Sequence, residues 1–383
     1  VKFENIKRIA VIGSGTMGHG IAELVALADY EVNLYDITEE RVLSGYQKIK
    51  WSLEKLAEKG MITKSQIQPA IEHITPLTDM RIALLEADFV IEASPEDLAL
   101  KQELFQTFER FVEDDAILAT NTSSLPISEI ALGTERPERV IGMHFFNPPI
   151  LMSLIEVIRG KMTSDTTLHL TVELGKRLKK RPIVCRKDTR GFITSAIFEG
   201  FIGEAMWQIS REKIPAEAID ARMKFIEKFP MGPLELADLT GLDIGYHVRK
   251  EAGLPNPPVL ERKVNAGHLG RKSGHGFYDY SNGVGANYQA VAADGFDPLP
   301  LYAMMTAIAA RLVQEDAADP QDIDLAMQLG GGFPQGPLAK ADEIGLDKIV
   351  EKLDELKAKH NDPRYEAPLL LREMASKGKK FYS

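Results

Sequence analysis

Two residues in the stretch VIGMHFFNPPILMSLIEVI, 140–158, have side chains that can move a proton together. His144 closes one short apolar run, and Glu156, twelve residues later, sits in the middle of another. Runs such as Leu-Ile-x-Val-Ile are ordinarily strands buried on both faces, where a carboxylate is expensive unless paired. An Asn-Pro-Pro turn signal separates the two runs. A carboxylate beside an imidazole favours its charged form, and two such buried groups satisfy each other. Other polar residues follow other apolar runs: Glu92 and Glu96 at and after DFVIEA, Asn121, Thr122 and Ser123 after AILAT, Asn147 after HFF. On one sheet edge these would combine acid, hydroxyl, amide and imidazole. Taken singly, each has a plainer reading. Ser123 or Ser124 can simply cap the helix beginning at PISEIA, and a lone histidine is more often a satisfied core residue.

The elements that would position them begin with IKRIAVI, 6–12, a buried strand, followed by GSGTMG at 13–18 and the helical HGIAELVALAD. A second strand, EVNLYD, 31–36, ends in an acid. Gly13 permits the tight turn, Gly15 lets the backbone approach a pyrophosphate, and Gly18 allows close helix–strand packing. Free N–H groups at the helix start then bind phosphate, and Met17 belongs to the same loop. Asp36 can accept from a ribose hydroxyl and repels a 2′-phosphate, so NAD is expected rather than NADP. Strands at 88–93, 116–120 and 140–146 alternate with helical segments near 39–59, 63–72 and 97–113. This predicts an α/β, Rossmann-like doubly wound sheet, with ligands beyond the carboxyl ends of its strands.

Composition bounds the reading. Of 383 residues, 46 are Lys or Arg and 56 Asp or Glu, and the net charge of −10 argues against non-specific nucleic-acid binding. The single cysteine, Cys185, forbids an intrachain disulfide and fits a reducing, cytoplasmic setting. It closes RPIVC, a strand, and reads as packing. The basic run KKRPIVCRK around it reads as a solvated loop flanking that strand. No run approaches the roughly 18 apolar residues of a membrane span, and IAVIGSG is too short for a signal peptide. The eight histidines lack metal-ligand spacing, so no metal is expected.

The motifs NTSSLPISEIA, HFFNP and LIEVI together resemble the L-3-hydroxyacyl-CoA dehydrogenases. EASPEDLALKQELF (92–105), KFPMGPLELADLTGLD (228–243) and GRKSGHGFYDY (270–280) extend the resemblance over residues 5–280. It implies NAD-dependent interconversion of 3-hydroxyacyl-CoA and 3-ketoacyl-CoA, of short or medium chain, as in β-oxidation. His144 would be the base, Glu156 its partner, and Ser123 a hydrogen-bond donor to the reacting oxygen. Asn147 would hold substrate or nicotinamide, and Glu96, Lys101 and Lys272 would belong to the cofactor site. Ser52 and Lys59, on the hairpin 39–72, match positions that touch coenzyme A, although an exposed helical lysine usually does nothing specific. One position departs from the family pattern Pro-Gly-Phe-x-x-Asn-Arg. The chain reads RGFITSA, 190–196, so Ser195 replaces the active-site asparagine and Arg190 the proline. Serine is shorter and lacks the amide's paired geometry, which puts substrate positioning in question and leaves base and cofactor loop untouched.

Beyond the sheet the pattern is all-α and duplicated. EAIDARMKFIEKFPMGPLELADLTGLD (217–243) matches QDIDLAMQLGGGFPQGPLAKADEIGLD (321–347) in register, 104 residues apart. The expected division is 1–187 for the nucleotide domain, 188–290 for a first helical module and 291–383 for a second, shortened copy, with a Gly/Asn/Asp-rich linker at 280–300. Short relatives dimerise through one such module, so the second copy would replace that partner contact. Fusion to, or association with, an enoyl-CoA hydratase is a further arrangement that the resemblance implies. Two other readings stand beside the main one: a related dehydrogenase of a non-CoA substrate such as L-gulonate, and a non-catalytic NAD-binding protein.

Overall fold

Strands buried on both faces need helices on each side, and the alternation of apolar runs with helical periods supplies them. The computed structural model describes residues 3–382. Contacts divide the chain after Phe192 into two units.

The first unit runs β1 (Arg8–Ile12), α1 (Gly18–Ala26), β2 (Glu31–Tyr35), α2 (Glu39–Glu58), α3 (Ile67–Glu72), β3 (Ile74–Leu77) and α4 (Met80–Leu84). It continues with β4 (Phe89–Glu92), α5 (Leu98–Phe111), β5 (Ile117–Thr120), α6 (Ile127–Ile130), β6 (Val140–Phe145), β7 (Leu154–Ile158), α7 (Asp165–Arg177) and β8 (Arg181–Cys185). The sheet order is β3-β2-β1-β4-β5-β6-β7-β8. All neighbours are parallel except β6 and β7. Between β1 and β4 the winding reverses, which opens a crevice at the carboxyl ends of those strands. The short β3 and α4, and the whole of α7, are additions to the expected elements.

Local chemistry explains the boundaries. Thr38 caps α2 by accepting from the N–H of Arg41. The buried residues Val42, Gly45, Ile49, Leu53 and Leu56 recur at helical spacing along one face of α2. Gly45 is required there, because a Cβ would lie 2.7 Å from the Ser14 Cβ of the glycine loop.

The second unit is helical. α8 (Thr194–Phe198) continues through a π-turn at Glu199–Gly203 into α9 (Glu204–Glu212), followed by α10 (Ala216–Ala221), α11 (Pro233–Thr240), α12 (Leu242–Glu251) and α13 (Pro258–Asn265). Then come α14 (Leu299–Gln314), α15 (Pro320–Gly331), α16 (Pro337–Ile344), α17 (Leu346–His360) and α18 (Leu369–Ser376). The residues that recur at 104 perform one task twice. Asp220 accepts from the N–H groups of Leu234 and Glu235 and from the Tyr278 hydroxyl. Asp324 accepts from those of Leu338 and Ala339 and from the Tyr382 hydroxyl. Each aspartate thus caps the helix that starts at the next Gly-Pro-Leu. Asp238 accepts from Phe277 and Tyr278 N–H, and Asp342 from Phe381 and Tyr382 N–H. Equivalent residues also meet: the rings of Phe229 and Phe333 are 4.7 Å apart. No helix among the described residues is long and apolar enough to cross a membrane.

Asp324→Ala strands the buried N–H of Leu338, the half-buried N–H of Ala339 and a tyrosine hydroxyl. It is expected to lower stability by about 2–4 kcal/mol, read as a drop in the midpoint of urea unfolding, with Asp324→Asn losing less.

Candidate active site

β6 and β7 pair antiparallel with His144 directly opposite Glu156. The two side chains meet across that pair, His144 Nδ1 to Glu156 Oε2 at 2.7 Å. Because an ionised carboxylate only accepts, Nδ1 carries the proton and Nε2 is the ring's basic nitrogen. Glu156 has no solvent exposure and His144 keeps 8%. The ring packs against Phe146, centroids 4.6 Å apart, and Phe192 at 6.2 Å.

The loops after the neighbouring strands are tied to one another by carboxylates. Glu96 Oε1 accepts from the Thr122 hydroxyl at 2.5 Å, from Ser123 N–H at 3.1 Å and from both the N–H and hydroxyl of Ser124. Asn121 Oδ1 takes the N–H of Phe145, joining the β5 loop to the end of β6. Ser123 itself is exposed. Neither Ser123 nor Ser124 caps α6: Asp188 does so, accepting from Ile127 N–H at 2.9 Å and Ser128 N–H at 2.6 Å. Glu92 is not part of an open centre either. It is fully buried and accepts from Ser94, the Thr120 hydroxyl and the Lys101 ammonium, the last at 2.7 Å. Lys101 is 1% exposed and lies 3.5 Å from the second oxygen of Glu96. It supports Glu96 from beneath.

The glycine loop fits a dinucleotide. Gly13 has φ +102°, and a Cβ there would stand 2.6 Å from the Ala93 carbonyl. A Cβ on Gly18 would collide with the Gly13 carbonyl, whereas one on Gly15 would enter open space, the place where a pyrophosphate can approach. Met17 precedes α1 as its N-cap residue. Asp36 Oδ2 accepts from both the N–H and hydroxyl of Ser14, and Oδ1 from Ile37 N–H, so the acid braces the loop and keeps a lone pair of Oδ1 for a ribose.

Thr16, Gly20 and Glu23 of the first turn and helix, Ser52 and Lys55 of α2 with Lys59 just after it, and Asn147–Leu151 line one cavity of about 500 Å³. Three of the expected substrate contacts, Ser52, Lys59 and Asn147, are therefore brought together. The turn that forms one wall is held by Lys180, whose ammonium donates to the carbonyls of Pro149, Ile150 and Met152. Burial brings this lysine down to about 8. The basic run 179–187 is thus not simply solvated, as the sequence reading had it: Lys180 turns inward because three carbonyls need a donor. Cys185 is buried, its thiol pushed up to about 12, and it serves packing.

Two expected residues lie in the second unit. Ser195 is in α8. Lys272 has its ammonium 2.6 Å from Asp243. Among the described residues no cluster of His, Cys, Asp or Glu is able to hold a metal ion.

The family model described as "3-hydroxyacyl-CoA dehydrogenase, NAD binding domain" matches residues 8–189, and that of the C-terminal domain matches twice, at 191–280 and 300–381. The chain belongs to the 3-hydroxyacyl-CoA dehydrogenase family. It is an NAD-dependent dehydrogenase. It is 42% identical to a probable 3-hydroxybutyryl-CoA dehydrogenase of Bacillus subtilis, over 72% of this chain and 98% of the relative. A 3-hydroxyadipyl-CoA dehydrogenase of Escherichia coli is 32% identical over 97% of this chain and 98% of its own length. The crystal structure of a 3-hydroxybutyryl-CoA dehydrogenase from Escherichia coli K12 superimposes with a TM-score of 0.87 at 30% identity, covering 97% of this chain and 98% of that one.

Sequence reasoning missed Asp188 and Lys180, whose partners lie tens of residues away. It also missed Glu23, although the signal was the one that exposed Glu156: an acid inside an apolar run, GIAELVAL. In this dehydrogenase Lys101→Met leaves the Glu92 charge buried and unpaired. The expected loss is about 3–5 kcal/mol, and Glu92→Gln combined with Lys101→Met should restore most of it in denaturant titrations.

Proposed function

We propose that this dehydrogenase oxidises L-3-hydroxyacyl-CoA thioesters of short or medium chain to 3-ketoacyl-CoA, and catalyses the reverse, with His144 as general base. The observation that carries this reading is the 2.7 Å bond between His144 Nδ1 and the fully buried Glu156, at the carboxyl edge of a dinucleotide-binding sheet. Nε2 takes the proton of the substrate's 3-hydroxyl. Glu156 fixes the ring's tautomer and orientation and stabilises the charge it gains. The Ser123 hydroxyl, on the exposed loop beside Glu96, hydrogen-bonds the reacting oxygen. Asn147 holds the substrate where its loop borders the cavity, and Ser52 and Lys59 hold the CoA moiety in that cavity. Bound NAD, seated on Gly13–Gly18 and Asp36, supplies the acceptor for the hydride that leaves C3.

The reaction needs a source of 3-hydroxyacyl-CoA, which hydration of an enoyl-CoA provides, so a hydratase is the expected neighbour, fused or separate. In the second unit the two helical copies pack with Phe229 against Phe333, position against equivalent position. That is the relation found across a twofold dimer interface, and it supports the reading that the second copy replaces a partner subunit.

NADH oxidation with acetoacetyl-CoA tests the assignment. His144→Ala should lower kcat by about 10²–10⁴, and NADPH should be a poor substitute because Asp36 repels a 2′-phosphate. No turnover by the wild-type protein while NADH still binds would overturn the CoA reading. Ser195→Asn would then show whether the second-unit departure is responsible.

A further inference from the structure

The cavity lined by α1, α2 and the 147–151 turn has ends of opposite character. Lys48 and Lys59 on its rim are exposed, with Trp51 between them at 63% exposure. Deeper in lies Glu23, 1% exposed, one helical turn beyond His19 on α1. Its Oε1 is buried and has no hydrogen-bond partner among the described residues. A buried, unpartnered carboxylate oxygen costs stability and calls for an explanation. Other buried carboxylates of this chain, Glu92, Asp220 and Asp324, each accept from three donors or more.

We propose that Glu23 is a specificity-determining residue that accepts a hydrogen bond from the pantetheine arm of the acyl-CoA, through an amide N–H or hydroxyl of that arm. The inference rests on the reading that this cavity receives coenzyme A. Charge decides which part of the ligand reaches the floor. The phosphates of CoA are repelled by a carboxylate and drawn to the lysines of the rim. The arm is neutral and carries the donors that an orphan oxygen needs. Glu23 therefore gives the cavity a polarity: nucleotide outward, arm inward.

A consequence is that arm binding and ionisation of Glu23 are linked. Burial pushes its carboxyl up to about 7, opposed in part by the Ser52 hydroxyl facing it from α2. His19 is held low by burial, its Nδ1 engaged by the Gly15 carbonyl. Lys48 and Lys55 of α2 and Lys59 at its end are the charged groups of that region that line the cavity, and the turn contributes only the Asn147 amide and apolar side chains. A donor from the ligand favours the ionised form, so binding releases a proton. Affinity for the arm is then full above the free carboxyl's value and weakens as the pH falls through it.

The test uses S-acetoacetyl-pantetheine, which lacks phosphates and so reports neither the lysine rim nor phosphate titration. Its binding to the full chain is measured by calorimetry at pH 6 and pH 8, for the wild type and for Glu23→Gln, with acetoacetyl-CoA turnover followed in parallel. The wild type should bind about five- to tenfold more weakly at pH 6, and Glu23→Gln, which keeps a carbonyl acceptor but cannot titrate, should bind with no pH slope. A flat wild-type profile, an unchanged slope in Glu23→Gln, or no binding of the probe while acetoacetyl-CoA is turned over would each overturn the inference. Loss of acetoacetyl-CoA turnover in the wild type would instead overturn the CoA reading on which it rests. NADH binding by Glu23→Gln shows that the variant is folded.

Discussion

The register between β6 and β7 is the constraint on which the site depends. Glu156 sits in mid-strand with no exposure, where a carboxylate is costly unless it is partnered, and the imidazole of His144 stands opposite it. The period of a strand is two residues, so a slip of one would turn the two side chains to opposite faces and break the bond between them. The segment between the strands is therefore held from outside. Lys180 gathers three of its carbonyls, and Asn121 takes the N–H of Phe145 at the strand's end. Neither residue performs chemistry. Both keep the antiparallel pair from sliding.

A second device, an anionic side chain holding backbone N–H groups, fixes several loops of the first unit. Asp36 braces the glycine loop through Ser14, Glu96 gathers the turn that presents Ser123, and Asp188 caps α6. Such charge-assisted bonds are stronger than neutral ones and shape a loop before a ligand arrives. Lys101 is the counter-ion beneath this arrangement: buried against Glu92 and close to Glu96, it offsets two carboxylates at once. Preorganised loops spare the reaction the cost of arranging its donors.

Much of this was legible in the residues, and the parts that were not share a cause. The sheet, the glycine loop and the His144–Glu156 opposition could be read because each depends on local pattern: apolar runs, glycine spacing, a carboxylate out of place. The short strand Ile74–Leu77 escaped because ITPL carries a proline and a threonine and no alternation. α7 escaped because DTTLHLTVELGKR is rich in threonine, a residue that weakens the helical signal. The pairing of Lys101 with Glu92 has no local signal, since nine residues across a strand end and a helix turn bring them within 2.7 Å. Asp188 is about sixty residues from the helix it caps, and no local pattern announces such a partner.

The duplicated unit shows which of its residues are held by physical need. Where the copies keep a residue, it closes a hydrogen bond or permits a close approach. Gly232 and Gly336 leave room for the capping aspartates, which a Cβ would meet at 2.3 and 2.1 Å. Gly241 and Gly345 both have φ near +105°, which glycine adopts freely. Where the copies differ, the backbone differs. In the first copy Gly270 and Gly276 press against Asp238, at positions that have no space for a side chain. Their counterparts, 104 residues on, are Met374, inside α18, and Lys380. Yet both copies deliver a Phe-Tyr pair of N–H groups to the waiting aspartate, Asp238 or Asp342. Asp238 is buried and Asp342 half-buried, and each is satisfied by backbone N–H groups although the chain reaches it by a different route.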